Sequence, residues 1–251
     1  MLDTIILLTG SIEQSVLAST LLGHNPRLTV TPVATLSDVA ALESELLGRA
    51  RLVAFATGVV VPSRVLNQLG YGAYNFHPGS PCFPGLAPSQ FAVYHQATEF
   101  GATAHLMTER VDDGPIVGVE LFRVPANIPV FGLEALAYCY LARLFWRLAK
   151  VLAIQPEPLQ SGSIQWSGQK SSRRSYAAMC DIPLDISKED LDRRIKAFGG
   201  NHFGIKPTIN LLGNKFQVLA TDPSHASYAQ PLNEALSMIL RTDVKKQDRA
   251  A

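Results

Sequence analysis

Charge is scarce in this sequence, and what there is nearly cancels: 22 Lys and Arg stand against 21 Asp and Glu in 251 residues. A net charge of +1 excludes the strong electrostatic pull by which basic chains hold nucleic acid or an acidic membrane surface. Cysteine is scarcer still. Cys82, Cys139 and Cys180 are widely separated and odd in number, with no C-x-x-C pair, which fits a reducing compartment better than a disulfide framework. The start, Met1-Leu2-Asp3-Thr4, has an acid where a secretory leader has basic residues. Long apolar runs free of charge are also missing. The most apolar one, residues 135–154, carries Arg143, Arg147 and Lys150 on one helical stripe, so it reads as an amphipathic helix over a core, not a membrane span. Neither internal repeats nor H-E-x-x-H-like ligand spacing occurs, and no metal site is expected. A soluble, cytoplasmic protein with no membrane partner is the expectation.

What the sequence does have is an apolar fraction of 47%, enough to bury a core, and a strand–helix alternation through its first half. Residues 4–8 form a short β-branched and leucine run. Ser11 with Gln14 makes a capping box for a helix ending near Gly23. Residues 27–33 alternate like a strand, and Ser37 heads a helix carrying Val39, Leu42 and Leu46. Residues 52–56 form a continuous apolar strand, Pro62 starts a helix ending around Gly70, and residues 72–76 form the next strand. The fold class expected is α/β, a Rossmann-like, mostly parallel sheet with helices on both faces.

Beyond a Gly/Pro/Ser-rich loop at 78–88 come a helix over 89–98 and strands at 102–107 and 116–123. The long helix is followed by a linker at 155–163. A basic patch at 170–174, a helix over 188–198 capped by Ser187, a hairpin turning at Gly213-Asn214 and a last helix around 232–240 complete the reading. Residues 1–155 are expected to form a catalytic domain and residues 164–242 a small α+β C-terminal domain, with a frayed tail from Asp243.

In a parallel sheet, ligands bind beyond the carboxyl ends of the strands, and Asn75-Phe76-His77 stands at such an end. Alternation puts Asn75 and His77 on one face. A carboxamide that can donate to a developing oxyanion, beside an imidazole that can move a proton, suits acyl transfer, and Asp112 could complete the set. The same residues could instead satisfy loop backbone at a strand end, and residue types alone leave that choice open.

Three ordered stretches decide it: Asn75-Phe76-His77-Pro78, Gly101-Ala102-Thr103-Ala104-His105 and Val111-Asp112-Asp113-Gly114-Pro115-Ile116. Together they resemble the N-x-H-P, G-x-T-x-H and D-x-G-x-I signature of the formyltransferase family. That family includes methionyl-tRNA formyltransferase, glycinamide ribonucleotide transformylase, sugar N-formyltransferases and formyl-tetrahydrofolate hydrolases. The resemblance extends to residues 57–62, similar to the family's pterin-pocket loop, and to Arg194-Ile195-Lys196-Ala197-Phe198.

The resemblance implies that 10-formyl-tetrahydrofolate is the formyl donor. Asn75 would donate to the oxyanion, His77 would share that task or relay a proton, and Asp112 would orient His77 and move the amine's proton. The pterin would lie against Val59, Val60 and Val61 and the backbone of Thr108, Glu109, Arg110 and Val111. The acceptor expected is the amine of a small molecule, such as a nucleotide-linked amino sugar; a tRNA partner is disfavoured by the near-zero charge and the short C-terminal part. A hydrolase, a tRNA enzyme, a catalytically decayed folate-binding module and a homodimer remain open. Two departures stand out. Residues 79–85, Gly-Ser-Pro-Cys-Phe-Pro-Gly, replace the family's S-L-L-P, and the first βα turn lacks the G-x-G-S-N phosphate cradle. Cys82 and His95 are more simply explained by local packing or surface exposure, and Lys170, Arg173 and Arg174 by a solvated loop; His105 could line the site or equally be a satisfied core histidine.

Overall fold

The computed structural model describes residues 2–200 and 202–218. Six strands form one sheet in the order β2-β1-β3-β4-β5-β6: β1 (Thr4–Leu8), β2 (Thr29–Val33), β3 (Ala50–Phe55), β4 (Ala73–His77), β5 (Glu99–Leu106) and β6 (Ile116–Arg123). The first four are parallel; β5 is antiparallel to β4, and β6 is antiparallel to β5. All of β1 and β3 is buried, as both-face coverage demands. Side chains alternate between two cores. Ile5, Leu7, Val53, Phe55, Tyr74 and Phe76 pack with α1 (Ser11–His24) and α6 (Val130–Ile154), and Ile6, Leu8, Leu52 and Ala54 pack with Val39, Leu47 and Val65 opposite. The 25-residue α6 turns Leu141, Leu144 and Phe145 to the sheet. Its outer stripe meets Glu120 through Arg143 (3.9 Å) and Arg147 (3.2 Å). No helix among the described residues is long and apolar enough to cross a membrane.

Several local expectations need correction. Gly10, not Ser11, is the N-cap of α1, and no side chain caps it; Gln14 reaches back to the Thr9 carbonyl instead. The helix expected from Ser37 is two: α2 (Leu36–Ala40) and α3 (Ser44–Arg49). Thr35 wins the cap because Asp38 three residues on completes a reciprocal box with it. Pro62 is the N-cap, not the first residue, of the short α4 (Ser63–Leu66). The helix expected over 89–98 is α5 (Pro88–Tyr94), and Gln96 just beyond it takes a left-handed φ of 53°. β5 begins at Glu99, ahead of the expected start.

The C-terminal part holds α7 (Arg173–Cys180), β7 (Asp181–Ile182), α8 (Lys188–Phe198), β8 (Thr208–Leu211) and β9 (Asn214–Gln217), with a three-stranded sheet in the order β7-β8-β9. Ser187 caps α8 by accepting from the Asp190 N–H. The hairpin turns at Leu212 and Gly213, one position earlier than expected. The helix expected around 232–240 and the tail from Asp243 lie outside the described residues.

Candidate active site

Register builds the site. On β4, Tyr74 and Phe76 enter the α6 core, so Asn75 and His77 point to the other face. The antiparallel pairing sets His105 of β5 directly across from Asn75 and Thr103 across from His77, which puts both imidazoles on that face. A register shift between Ala104 and His105 marks a bulge at this point of β5. The loop after β5 leaves the sheet beside Ala73, where the Met107 N–H donates to the Ala73 carbonyl, and folds back to bring Asp112 over the same face. Asp112 holds φ at +46°, a left-handed conformation that Asp tolerates better than most residues.

The expected trio converges, and a fourth group joins it. Asp112 Oδ1 lies 3.1 Å from His105 Nε2 and 3.4 Å from Asn75 Nδ2. Its Oδ2 lies 3.4 Å from His77 Nδ1 and accepts from the Gly85 N–H at 2.8 Å. Asn75 Nδ2 is also 3.1 Å from His105 Nε2. His77, His105 and Asp112 are all buried. Burial pushes the Asp112 carboxyl up, but the His105 hydrogen bond, the charges of both imidazoles and the Gly85 N–H outweigh it and hold it at about 2. Burial pushes His77 down from its ordinary value, against the opposing pull of Asp112 and the Phe83 carbonyl. Near neutral pH the cluster therefore carries an ionised carboxylate beside a neutral His77.

The two imidazoles are held differently. His77 Nε2 lies 3.1 Å from the Phe83 carbonyl, a consequence of the unusual 79–85 loop, so both of its ring nitrogens face acceptors. The ring fits there because residue 79 is glycine: a Cβ would collide with His77 Nε2. His105 Nδ1 lies 2.9 Å from the Leu106 carbonyl, and its Nε2 is shared between Asn75 and Asp112. His105, which the sequence left open between a core and a site-lining role, is thus in contact with Asn75 and Asp112.

A cleft of about 670 Å³ opens over this cluster, within the range of small-molecule sites. Val59, Val60 and Val61 line one wall with Met107 and the run Thr108, Glu109, Arg110, Val111. Val61 is buried and Val60 exposed. Thr57 Oγ1 accepts from the Val59 N–H and shapes that loop. Lys170, Ser171, Ser172, Arg173 and Phe203 also line the cleft; Cys82 and His95 line a separate, smaller hollow.

Trp166 is the residue that the sequence reading passed over. Its ring stands edge-on to both His105 (centroids 5.1 Å apart) and His77 (6.0 Å), and its Nε1–H donates to the Gly114 carbonyl at 2.8 Å. It belongs to a strap that runs from the end of α6 across the site. Leu159 N–H donates to Tyr74 Oη, Gly162 N–H to Ile116 O, Ser167 N–H to Pro81 O and Ser171 N–H to Pro84 O. One signal was available: a lone tryptophan in a polar, Gly/Ser-containing stretch needs somewhere to bury its ring.

Comparison with known proteins finds formyltransferases both by sequence and by fold. The family described as "Formyl transferase" matches residues 34–129. A methionyl-tRNA formyltransferase of Synechococcus sp. (strain JA-2-3B'a(2-13)) is 32% identical over 172 residues, 66% of this chain and 50% of that protein. The chain therefore spans about half the length of the curated relatives it matches first. Among solved structures, a sugar N-formyltransferase from Shewanella sp. FDAARGOS_354 superposes with a TM-score of 0.68 at 16% identity, covering 88% of this chain and 98% of that one. An N-formyltransferase from Helicobacter canadensis, in complex with folinic acid and dTDP-3-aminofucose, has a TM-score of 0.60 at 16% identity and covers 86% of each chain. At such identities these two likenesses speak to the fold.

Proposed function

We propose that this chain, which resembles the formyltransferase family over residues 34–129, is an enzyme that moves a formyl group from 10-formyl-tetrahydrofolate to the amine of a small acceptor, with Asn75, His77 and Asp112 as catalytic residues. One observation carries the reading: a carboxamide, two imidazoles and an ionised carboxylate meet at the floor of a single cleft. The cleft's chemistry fits a reduced folate. Val59, Val61 and Met107 offer an apolar slot for a flat ring, and the backbone of residues 108–111 offers donors and acceptors along its edge. Bound there, the folate supplies an activated formyl carbon.

The chain's own groups do the rest. As the amine nitrogen bonds to the formyl carbon, negative charge grows on the formyl oxygen. Asn75 Nδ2 donates to it, giving up the long 3.4 Å contact with Asp112. Bonding to carbon acidifies the attacking nitrogen, and only then does a carboxylate as weakly basic as Asp112 accept its proton. His77 and His105, one at each carboxylate oxygen, hold Asp112 in place. The proton then passes to the folate nitrogen as its bond to the formyl carbon breaks.

The relatives' name makes an aminoacyl-tRNA amine the second reading. The near-neutral chain weighs against it, since tRNA binding leans on phosphate neutralisation. The deciding experiment offers 10-formyl-tetrahydrofolate with amino-sugar nucleotides, amino acids or methionyl-tRNA and looks by mass for a gain of one formyl group. A small amine should be formylated, and Asn75→Ala should slow that turnover by about 10²–10³. Binding of folate with no acceptor formylated would end the proposal.

A further inference from the structure

We infer that Thr103 is a positioning residue for the transfer: its hydroxyl pins the loop whose backbone holds His77 and Asp112. The inference rests on the formyl-transfer reading above and deepens it. Thr103 stands in the middle of the stretch Gly101-Ala102-Thr103-Ala104-His105 and has no part in the steps described so far. It is fully buried and does not line the cleft, so it acts only through its neighbours. What it reaches is the start of the 79–85 loop. Its Oγ1 donates to the Gly79 carbonyl at 2.8 Å.

Three contacts close a ring around this bond. Thr103 stands directly across from His77 in the pairing of β4 with β5, and its hydroxyl ties Gly79. Gly79 in turn lies against the His77 imidazole, where a Cβ would collide with Nε2. The loop then delivers the two backbone groups that grip the cluster. The Phe83 carbonyl is 3.1 Å from His77 Nε2, and the Gly85 N–H is 2.8 Å from Asp112 Oδ2. Among the described residues, no other side chain hydrogen-bonds the backbone of residues 78–80, and the buried Ser80 Oγ has no partner. The strap holds only the outer part of the loop, through Ser167 at Pro81 and Cys82 and Ser171 at Pro84. A threonine suits the inner position, because branching at Cβ restricts χ1 and the strand fixes where the hydroxyl points. Without that donor the buried Gly79 carbonyl would be unpaired, and any shift that relieved it would move the imidazole packed against it.

The test uses the full chain with two substitutions. Thr103→Val keeps the shape and removes the donor, while Thr103→Ser keeps the donor. The first readout is the nitrogen NMR spectrum of the imidazoles without any ligand, with His77→Asn identifying the His77 signals. Thr103→Val should shift those signals, and Thr103→Ser should leave them at their wild-type positions. The second readout is formyl transfer per folded molecule. Thr103→Val should lower kcat by about ten- to a hundred-fold, the scale for a misplaced catalytic group, with the KM for 10-formyl-tetrahydrofolate within about two-fold. Thr103→Ser should restore most of the lost turnover. If Thr103→Val does not fold, Thr103→Ala takes its place with the same expected outcomes. Unmoved His77 signals overturn the inference, and so does an unchanged kcat when the signals do move. An equal loss with serine and valine also overturns it, by assigning the effect to the methyl group's packing. If wild type formylates no acceptor, the formyl-transfer reading falls, while the His77 signals still decide whether Thr103 holds the ring.

Discussion

Arg51 and Asp112 are both buried charges, fully enclosed at 0% and nearly so at 3% exposure, yet they are satisfied in opposite ways. Arg51, near the start of β3, gives its donors to backbone carbonyls alone: Tyr71 at 3.0 Å, Leu152 at 2.7 Å, Pro156 at 3.4 Å and Glu157 at 3.3 Å. It closes the C-terminal end of α6, where unpaired carbonyls and the helix dipole favour a cation. None of those partners can move or change charge. Asp112 meets two imidazoles and an amide that compete for the same protons, and it faces a cleft. A buried charge held by fixed dipoles is a fastener. One held by groups that can exchange a proton is equipped for chemistry.

Asp112→Asn tests that distinction with the largest expected effect. Turnover should fall by about 10²–10⁴, the range for losing a general acid–base group. Stability should fall as well, by about 2 kcal/mol near neutral pH, because the folded carboxyl sits at about 2 against 3.8 when free. The sign follows from which state binds the proton first. The folded carboxyl is depressed, so its contribution is complete above pH 4 and is lost as pH falls through about 2. Urea unfolding of wild type and variant should therefore differ at pH 7 and converge toward pH 2. A constant gap across that range would mean that Asp112 gains nothing from its imidazole partners.

Arg51→Met should do the reverse. Leaving four carbonyls without their donor should cost about 3 kcal/mol of stability. The turnover of the molecules that remain folded should not change. Lys in place of Arg should recover little, since one ammonium cannot reproduce the forked geometry. A fall in turnover per folded molecule would show that the far end of α6 is coupled to the cleft, and the two charges would no longer be separable by role.

The same contrast explains what could be read in the sequence. β1 and β3 were legible because strands buried on both faces leave continuous apolar runs, and α8 because Ser187 caps an amphipathic stretch. The meeting of Asn75, His77 and Asp112 was legible because the motif spacing matches a known family. Arg51 was not, since a cation that bonds only to carbonyls needs no partner residue type. The start of α2 was misplaced because two neighbouring hydroxyl residues compete, and only Thr35 has Asp38 at the reciprocal position. The strap is the largest omission. Residues 155–163 read as a linker, yet Leu159 and Gly162 donate to Tyr74 and Ile116. Backbone bonds between segments this far apart leave no periodic trace.

Trp166 stands between the two kinds of residue, and its substitution has the smallest expected effect. Its indole N–H fastens the strap to Gly114, as Arg51 fastens α6, while its ring edges onto the two imidazoles that hold Asp112. Trp166→Phe removes the fastening and keeps a ring. It should cost about 1 kcal/mol in thermal stability, the scale of one neutral hydrogen bond. Trp166→Ala removes the ring too, admits water to the imidazoles and weakens their grip on Asp112. If the ring serves the cluster, turnover should fall further in the Ala variant than in the Phe variant by more than their difference in stability accounts for. Parallel losses in the two measurements would put Trp166 with Arg51, as a fastener only.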